Sequence, residues 1–206
     1  MRRIIQKLTS DRKVKFSTRL LMRIVYAIAV VLIAFIVIFR ISLHKYNSIL
    51  IEHRKSDIRS YVYICYAQLT PVIDLYKNGI ISRETALQRS QEIIRNTWYG
   101  ENNLSYYVFM NRKDGTSLLH PLKYSSDDLD DPALRGLKNS SIVNHFIEIA
   151  ESEQKEGFST YYFPPGRTEN SARKIAFIRA IPDLDVFIGS AINLNDIYEK
   201  TGTIFR

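Results

Sequence analysis

The chain has 206 residues, 46% of them hydrophobic and 24% charged, which excludes the disordered and collagen-like classes and leaves room for one ordinary domain with appendages. A single Cys excludes an intramolecular disulfide framework and a Cys-based zinc site, and four scattered His carry no metal-ligand spacing. The net charge of +8 sits at one end: residues 1–23 hold eight basic groups and one acidic, the remaining 183 hold 21 and 20, and nucleic-acid binding loses its main support.

The run from Ile24 to Phe39 is sixteen residues without a charge, Pro or Gly, bracketed by Arg23 and Arg40. At ~1.5 Å per residue it spans about 24 Å, and Leu20 to Leu43 spans about 36 Å, enough to cross a ~30 Å hydrocarbon core with both arginines snorkelling. A soluble core helix rarely stays apolar on every side for four turns. The exit Phe39-Arg40-Ile41-Ser42-Leu43-His44 lacks the small-residue cleavage site of a signal peptide. The expectation is therefore a permanent transmembrane helix over 20–43. Arg2, Arg3, Lys7, Arg12, Lys13, Lys15 and Arg19 precede it. Their positive-inside bias makes 1–19 a cytoplasmic tail and puts everything from 44 outside, which in a bacterium is the periplasmic side of the inner membrane.

Beyond the anchor, Ile49, Leu50, Ile58, Val62, Cys65, Leu69, Val72, Ile73 and Tyr76 fall on one stripe, which continues the helix outward in amphipathic form. Pro71 should kink or restart it, and Asn78-Gly79 should end it. A second helix begins at the N-cap Ser82, with Glu84 in its first turn, and stops near Asn96.

From Leu104 the period switches to two, and Tyr106 to Met110 reads as a strand. Asp114-Gly115 is a two-residue hairpin signal leading to a second strand, Thr116 to His120, closed by Pro121. The polar stretch from Tyr124 to Asn139 holds Asp127, Asp128, Asp130 and Asp131. A calcium loop needs alternating carboxylates followed by Gly, and Asp130-Asp131-Pro132 breaks that register, so a surface loop without metal is expected. A short helix follows from Ile142 to about Gln154. Three further strands, Phe158 to Phe163, Lys174 to Ala180 and Val186 to Ile192, are separated by Pro164-Pro165-Gly166 and Pro182-Asp183 turns. Asp196 to Lys200 reads as a closing helix. The fold class is α+β: five consecutive, short-linked strands make an antiparallel sheet, with the long helices on one face.

This order of pieces resembles a bacterial single Cache sensor domain. The resemblance is carried by Trp98-Tyr99-Gly100, Tyr106 to Asn111, Asp114-Gly115, His120-Pro121, Gly157-Phe158 with Tyr161 and Phe163, Lys174 with Phe177 and Arg179, and Ile188-Gly189-Ser190-Ala191-Ile192. With the preceding helices these cover residues 44–200. The resemblance implies a five- to six-stranded antiparallel Cache (PAS-like) sheet behind a long N-terminal helix. It also implies an extracytoplasmic ligand sensor of the kind found in chemoreceptors, histidine kinases and cyclic-dinucleotide enzymes, often for small carboxylates or amino acids. The family often carries Arg-Tyr-Gly where this chain has Trp98-Tyr99-Gly100.

Strand alternation selects candidate ligand contacts. Ile175, Phe177 and Arg179 share a face opposite Ala176, Ile178 and Ala180, whose small side chains suit packing against a helix. Arg179 then points away from the packed face. A guanidinium there needs an acceptor, either a ligand carboxylate held in bidentate fashion or a protein Asp or Glu. His120 either donates to the same ligand or is a packed histidine satisfied by backbone. Tyr106, Trp98, Tyr99 and Tyr161 offer amphipathic walls, each with apolar area and one polar tip. The resemblance adds Lys174 and Phe177 to the candidate contacts.

The parts of an enzyme are missing. Gly189-Ser190 lacks the flanks of a nucleophile elbow, Cys65 has no His nearby in sequence, and no phosphate loop or paired metal ligands occur, so neither catalysis nor a cofactor is expected. The competing reading is a membrane-anchored structural or assembly partner that uses the fold without a ligand. For a sensor, the expected mechanism is a ligand-driven shift of the sheet against the long helix, within a homodimer formed along that helix. Receptors of this type continue into a second span and an output domain, and the sequence ends at Arg206 before either. It is then the N-terminal part of a longer receptor or a short protein signalling through a partner.

Overall fold

A computed structural model of the chain describes residues 2–98, 107–120, 141–163 and 172–194, with side chains from Leu20 onward. It has two compact units, Met1–Ile49 and Leu50–Arg206. Helix α1 (Arg2–Lys77) is continuous. In the first unit the side chains from Leu20 to Ile41 are exposed, and none of the apolar window is covered by protein. Among the described residues this is one helix long and apolar enough to cross a membrane.

In the second unit, Ile58, Val62, Cys65, Leu69 and Val72 of α1 are buried at alternating steps of four and three, with Ile73 beside Val72, as an amphipathic stripe requires. Ile49, which the sequence placed on this stripe, is 55% exposed. Pro71 lies inside the helix without ending it. Pro71 and Ala67, whose carbonyl loses its helical partner, are both exposed, so the break falls on the side of the helix open to solvent. The helix ends where expected: Gly79 adopts φ +70, and Ile80 N–H donates to the Leu75 carbonyl at 2.9 Å.

Helix α2 (Arg83–Asn96) is capped by Ser82, whose hydroxyl accepts from Thr85 N–H at 3.1 Å. It buries Ala86, Leu87 and Ile94. At its end Thr97 ties the two helices together: Tyr61 Oη donates to its carbonyl at 2.6 Å, and Cys65 Sγ lies 3.4 Å from Oγ1. Burial pushes the Cys65 thiol up, more than the Thr97 hydrogen bond lowers it.

The strands are β1 (Phe109–Arg112), β2 (Ser117–Leu119), β3 (Glu156–Phe163), β4 (Ala172–Ile181) and β5 (Val186–Asn193), with helix α3 (Ser141–Glu151) before β3. They form one antiparallel sheet in the order β2-β1-β5-β4-β3. Consecutive pairing is thus broken once, where β1 pairs with β5. Val186 to Ala191 are all buried, and a strand apolar toward both faces belongs in the sheet interior. The β1–β2 turn also departs from the two-residue form. Arg112 N–H donates to the Thr116 carbonyl at 2.8 Å, Gly115 takes φ +84, and the Asp114 carboxylate accepts from Thr116 N–H at 2.8 Å. This is a three-residue loop whose left-handed position needs the Gly.

The long helices lie on one face of the sheet, as expected, and the short α3 covers the other. On one side α1 and α2 pack on Val108, Met110, Leu119, Ile175, Phe177, Ile181, Val186 and Ile188. On the other, Ile142, Phe146 and Ala150 of α3 pack on Tyr107, Phe109, Ala176, Ile178, Ala180, Phe187 and Ala191. The small residues of β4 do lie under a helix, namely α3. The face of Arg179, expected to be away from helices, lies under α1.

Candidate functional site

Pleating sorts the candidate residues between these faces. On β4, Lys174 follows the parity of Ala176, Ile178 and Ala180, so it belongs to the α3 side. Its Cα pairs with that of Tyr161 on β3 and that of Asn193 on β5. Tyr161 packs in the α3-side cluster, its ring 5.3 Å from Phe146 in an edge contact. Lys174 is half-buried, with Nζ 5.1 Å from the Phe163 ring. His120, just past β2, sets its ring 5.7 Å from Tyr107 and 6.2 Å from Phe109. Phe109 stacks on Phe146 at 5.8 Å. A continuous aromatic surface thus links His120, Tyr107, Phe109, Phe146 and Tyr161, with Lys174 at its margin.

Arg179 and Phe177 lie on the opposite face. Arg179 Nη1 is 2.5 Å from Glu156 Oε2, and the guanidinium stacks 4.3 Å from the rings of both Tyr63 and Tyr66 of α1. Of the two acceptors considered for it, ligand carboxylate or protein acid, the fold supplies the protein acid. Phe177 is wholly buried against α1, stacked 6.1 Å from Tyr63. A molecule touching His120 and Tyr161 touches neither. Trp98 packs against both clusters, and its Nε1 donates to the Val108 carbonyl at 3.0 Å, fixing the end of α2 to the start of β1. Tyr99, Tyr106 and the acidic stretch 127–131 lie outside the described residues.

Tyr107 and Asn193 were not singled out from the sequence. The signal for Tyr107 was available: it shares parity with Phe109, whereas Tyr106 has the other. Burial pushes the Tyr107 phenol up to about 12. Tyr161 is raised well above the usual tyrosine range by burial, then by the charge of Tyr107. Both phenols therefore remain protonated donors at neutral pH. Two phenols and an ammonium on one aromatic face are groups that suit a small molecule with one anionic end.

These shifts have a consequence at high pH. A phenol whose folded pKa exceeds its unfolded value of 10.0 favours the folded state fully below that pH, and the contribution is lost as pH rises toward 12. Tyr107 alone should cost about 2–3 kcal/mol across that window. Urea unfolding at pH 9 and 11.5 measures it. Tyr107→Phe should flatten the decline, and an equally steep decline in that variant would refute the assignment.

On the α1 side, an open groove of about 580 Å³ runs between α1 and α2, lined by Tyr61, Ile64, Gln68, Ile93, Asn96 and Thr97. No residue expected from the sequence to touch ligand lines it. Among the described residues no group of three or more His, Cys, Asp or Glu is placed to hold a metal ion.

A Cache domain family model matches residues 37–204. The methyl-accepting chemotaxis protein McpP of Pseudomonas putida is 25% identical over 187 residues, which is 90% of this chain and 33% of that protein. The chain thus spans about a third of the length of that relative. Among solved structures, one described as the structural basis for carboxylic acid recognition by a Cache chemosensory domain superposes with a TM-score of 0.53 at 19% identity, covering 70% of this chain and 95% of that one. A methyl-accepting chemotaxis protein from Vibrio parahaemolyticus gives 0.55 at 18% identity, covering 76% and 99%. At these identities the structures show a shared fold.

Proposed function

The chain belongs to the Cache domain family, and on that premise we propose that residues 44–200 form the ligand-sensing domain of a membrane-anchored chemoreceptor. In this reading 20–43 crosses the bacterial inner membrane and 1–19 stays in the cytoplasm, because the positive charge lies on that side. The ligand is a small carboxylate or amino acid held on the α3 side of the sheet. The observation that carries this is that Lys174, Tyr161 and Tyr107 share one face of the sheet beside the aromatic cluster under α3, which offers an ammonium for the anion and two phenols to donate to it. His120 and Trp98 border the same face.

The neighbour described for carboxylic acid recognition has the same fold, which supports the ligand class. Occupancy biases the sheet against α1, and the signal leaves through that helix. A homodimer along α1 fits the 57% exposure of Ile64, a large apolar side chain outside the core stripe.

The test is thermal unfolding of the full chain in lipid nanodiscs against short monocarboxylates, dicarboxylates and amino acids. A true ligand at a hundred times its Kd should stabilise the fold by about 2.7 kcal/mol. No rise in Tm across the panel would favour the anchored structural protein instead.

A further inference from the structure

We propose that Arg179 is a positioning residue that locks the register of α1 on the sheet and passes displacements of the α3-side face to α1. The proposal rests on the reading that the α3 side holds the ligand.

The lock is a closed ring of contacts between three elements. Glu156 of β3 and Arg179 of β4 face each other as Cα partners. One carboxylate oxygen of Glu156 receives Arg179 Nη1, and the other accepts from the Tyr63 hydroxyl at 2.7 Å. The guanidinium is held between the rings of Tyr63 and Tyr66, 4.3 Å from each. One turn earlier on α1 the arrangement is reversed. There Arg59 of the helix stacks over sheet rings, 4.9 Å from Phe158 and 5.4 Å from Phe177. Helix positions 59, 63 and 66 are one stripe, so sheet cation on helix rings and helix cation on sheet rings form a single ladder.

This ladder differs in kind from the apolar contacts between α1 and the sheet. Ile58, Val62, Cys65 and Leu69 are apolar, and hydrophobic burial is non-directional, so it resists separation more than sliding. A planar guanidinium between two rings with a fixed carboxylate favours one register, and a slide by one helical turn of ~5.4 Å would break the Tyr63–Glu156 hydrogen bond and take Arg59 off the Phe158 ring. The two rows of β4 are rigidly alternate. Any movement of Lys174, Ala176 and Ile178 on the ligand side therefore moves Arg179 on the helix side.

Hydrogen exchange of the full chain in nanodiscs tests this without a ligand. Phe146→Leu serves as the perturbation, because it removes ring contacts on the α3 side while nearly keeping volume. Exchange of amides 59–69 should rise at least threefold with Phe146→Leu in the otherwise native chain, and by less than half as much in an Arg179→Met background. Should Arg179→Met not fold, Tyr63→Phe is the second background. It keeps the ring over Arg179, deletes only the hydroxyl bond to Glu156, and should blunt the response partially. An equal rise in native and altered backgrounds, or no rise in any, overturns the proposal. Because no ligand is added, this result stands or falls separately from the ligand screen.

Discussion

Lys174→Gln should weaken binding of a carboxylate ligand by about 30- to 1000-fold, with Tm in the absence of ligand changed little. The expected loss is about 2–4 kcal/mol, because a half-buried ammonium is replaced by a neutral amide while the carboxylate still has to be desolvated. The comparison is Arg179→Met, which should change affinity by less than about tenfold, through its coupling to α1 and not through ligand contact, because Arg179 faces α1. Together the two variants assign the ligand to one side of the sheet. Titration calorimetry reads both, and an affinity lost in Arg179→Met but kept in Lys174→Gln would move the site to the α1 face.

Gly189→Ala should destabilise the fold by about 3 kcal/mol, the upper end of the usual cost of overpacking. A Cβ at this position would lie 2.6 Å from Phe109 Cζ, 2.7 Å from Ile178 Cδ1 and 2.9 Å from the Phe177 carbonyl oxygen. The two side-chain ends can rotate away, but the carbonyl belongs to the β4 backbone and cannot. Strands β4 and β5 must then separate at the centre of the sheet. The same residue sets where Phe109 rests, and Phe109 carries the contact between His120 and Phe146. Ligand affinity should therefore fall along with stability. Urea unfolding gives the first quantity, and a change under 1 kcal/mol would mean that the strands yield more easily than their packing indicates.

Much of this was legible in the chain, for identifiable reasons. The apolar run with its flanking arginines, the Ser82 cap and the Gly79 stop are local signals whose physics needs no partner. The α+β class and the Cache resemblance followed from the order of such signals and agree with the family match. Strand order was less visible. Periodicity shows that Val186 to Ile192 is a strand, but only its burial on both faces places it beside β1.

The candidate site was half legible. Alternation correctly separated Phe177 and Arg179 from Ala176, Ile178 and Ala180, yet it cannot say which row a ligand meets, because both lie under helices. Arg179 looked like an anion anchor because its partner Glu156 is 23 residues away and pairs with it only through the β3–β4 register. Tyr106 lies outside the described residues, and its neighbour Tyr107, which shares the parity of Phe109, sits in the α3-side cluster.

The sole thiol of the chain lies fully covered beneath Thr97, and burial keeps it protonated. It is therefore a poor handle for disulfide trapping across a dimer, and equally a negligible background for maleimide chemistry. A reporter cysteine placed at outward-facing Ile64 can be labelled selectively, with Cys65 left in place to fill its slot.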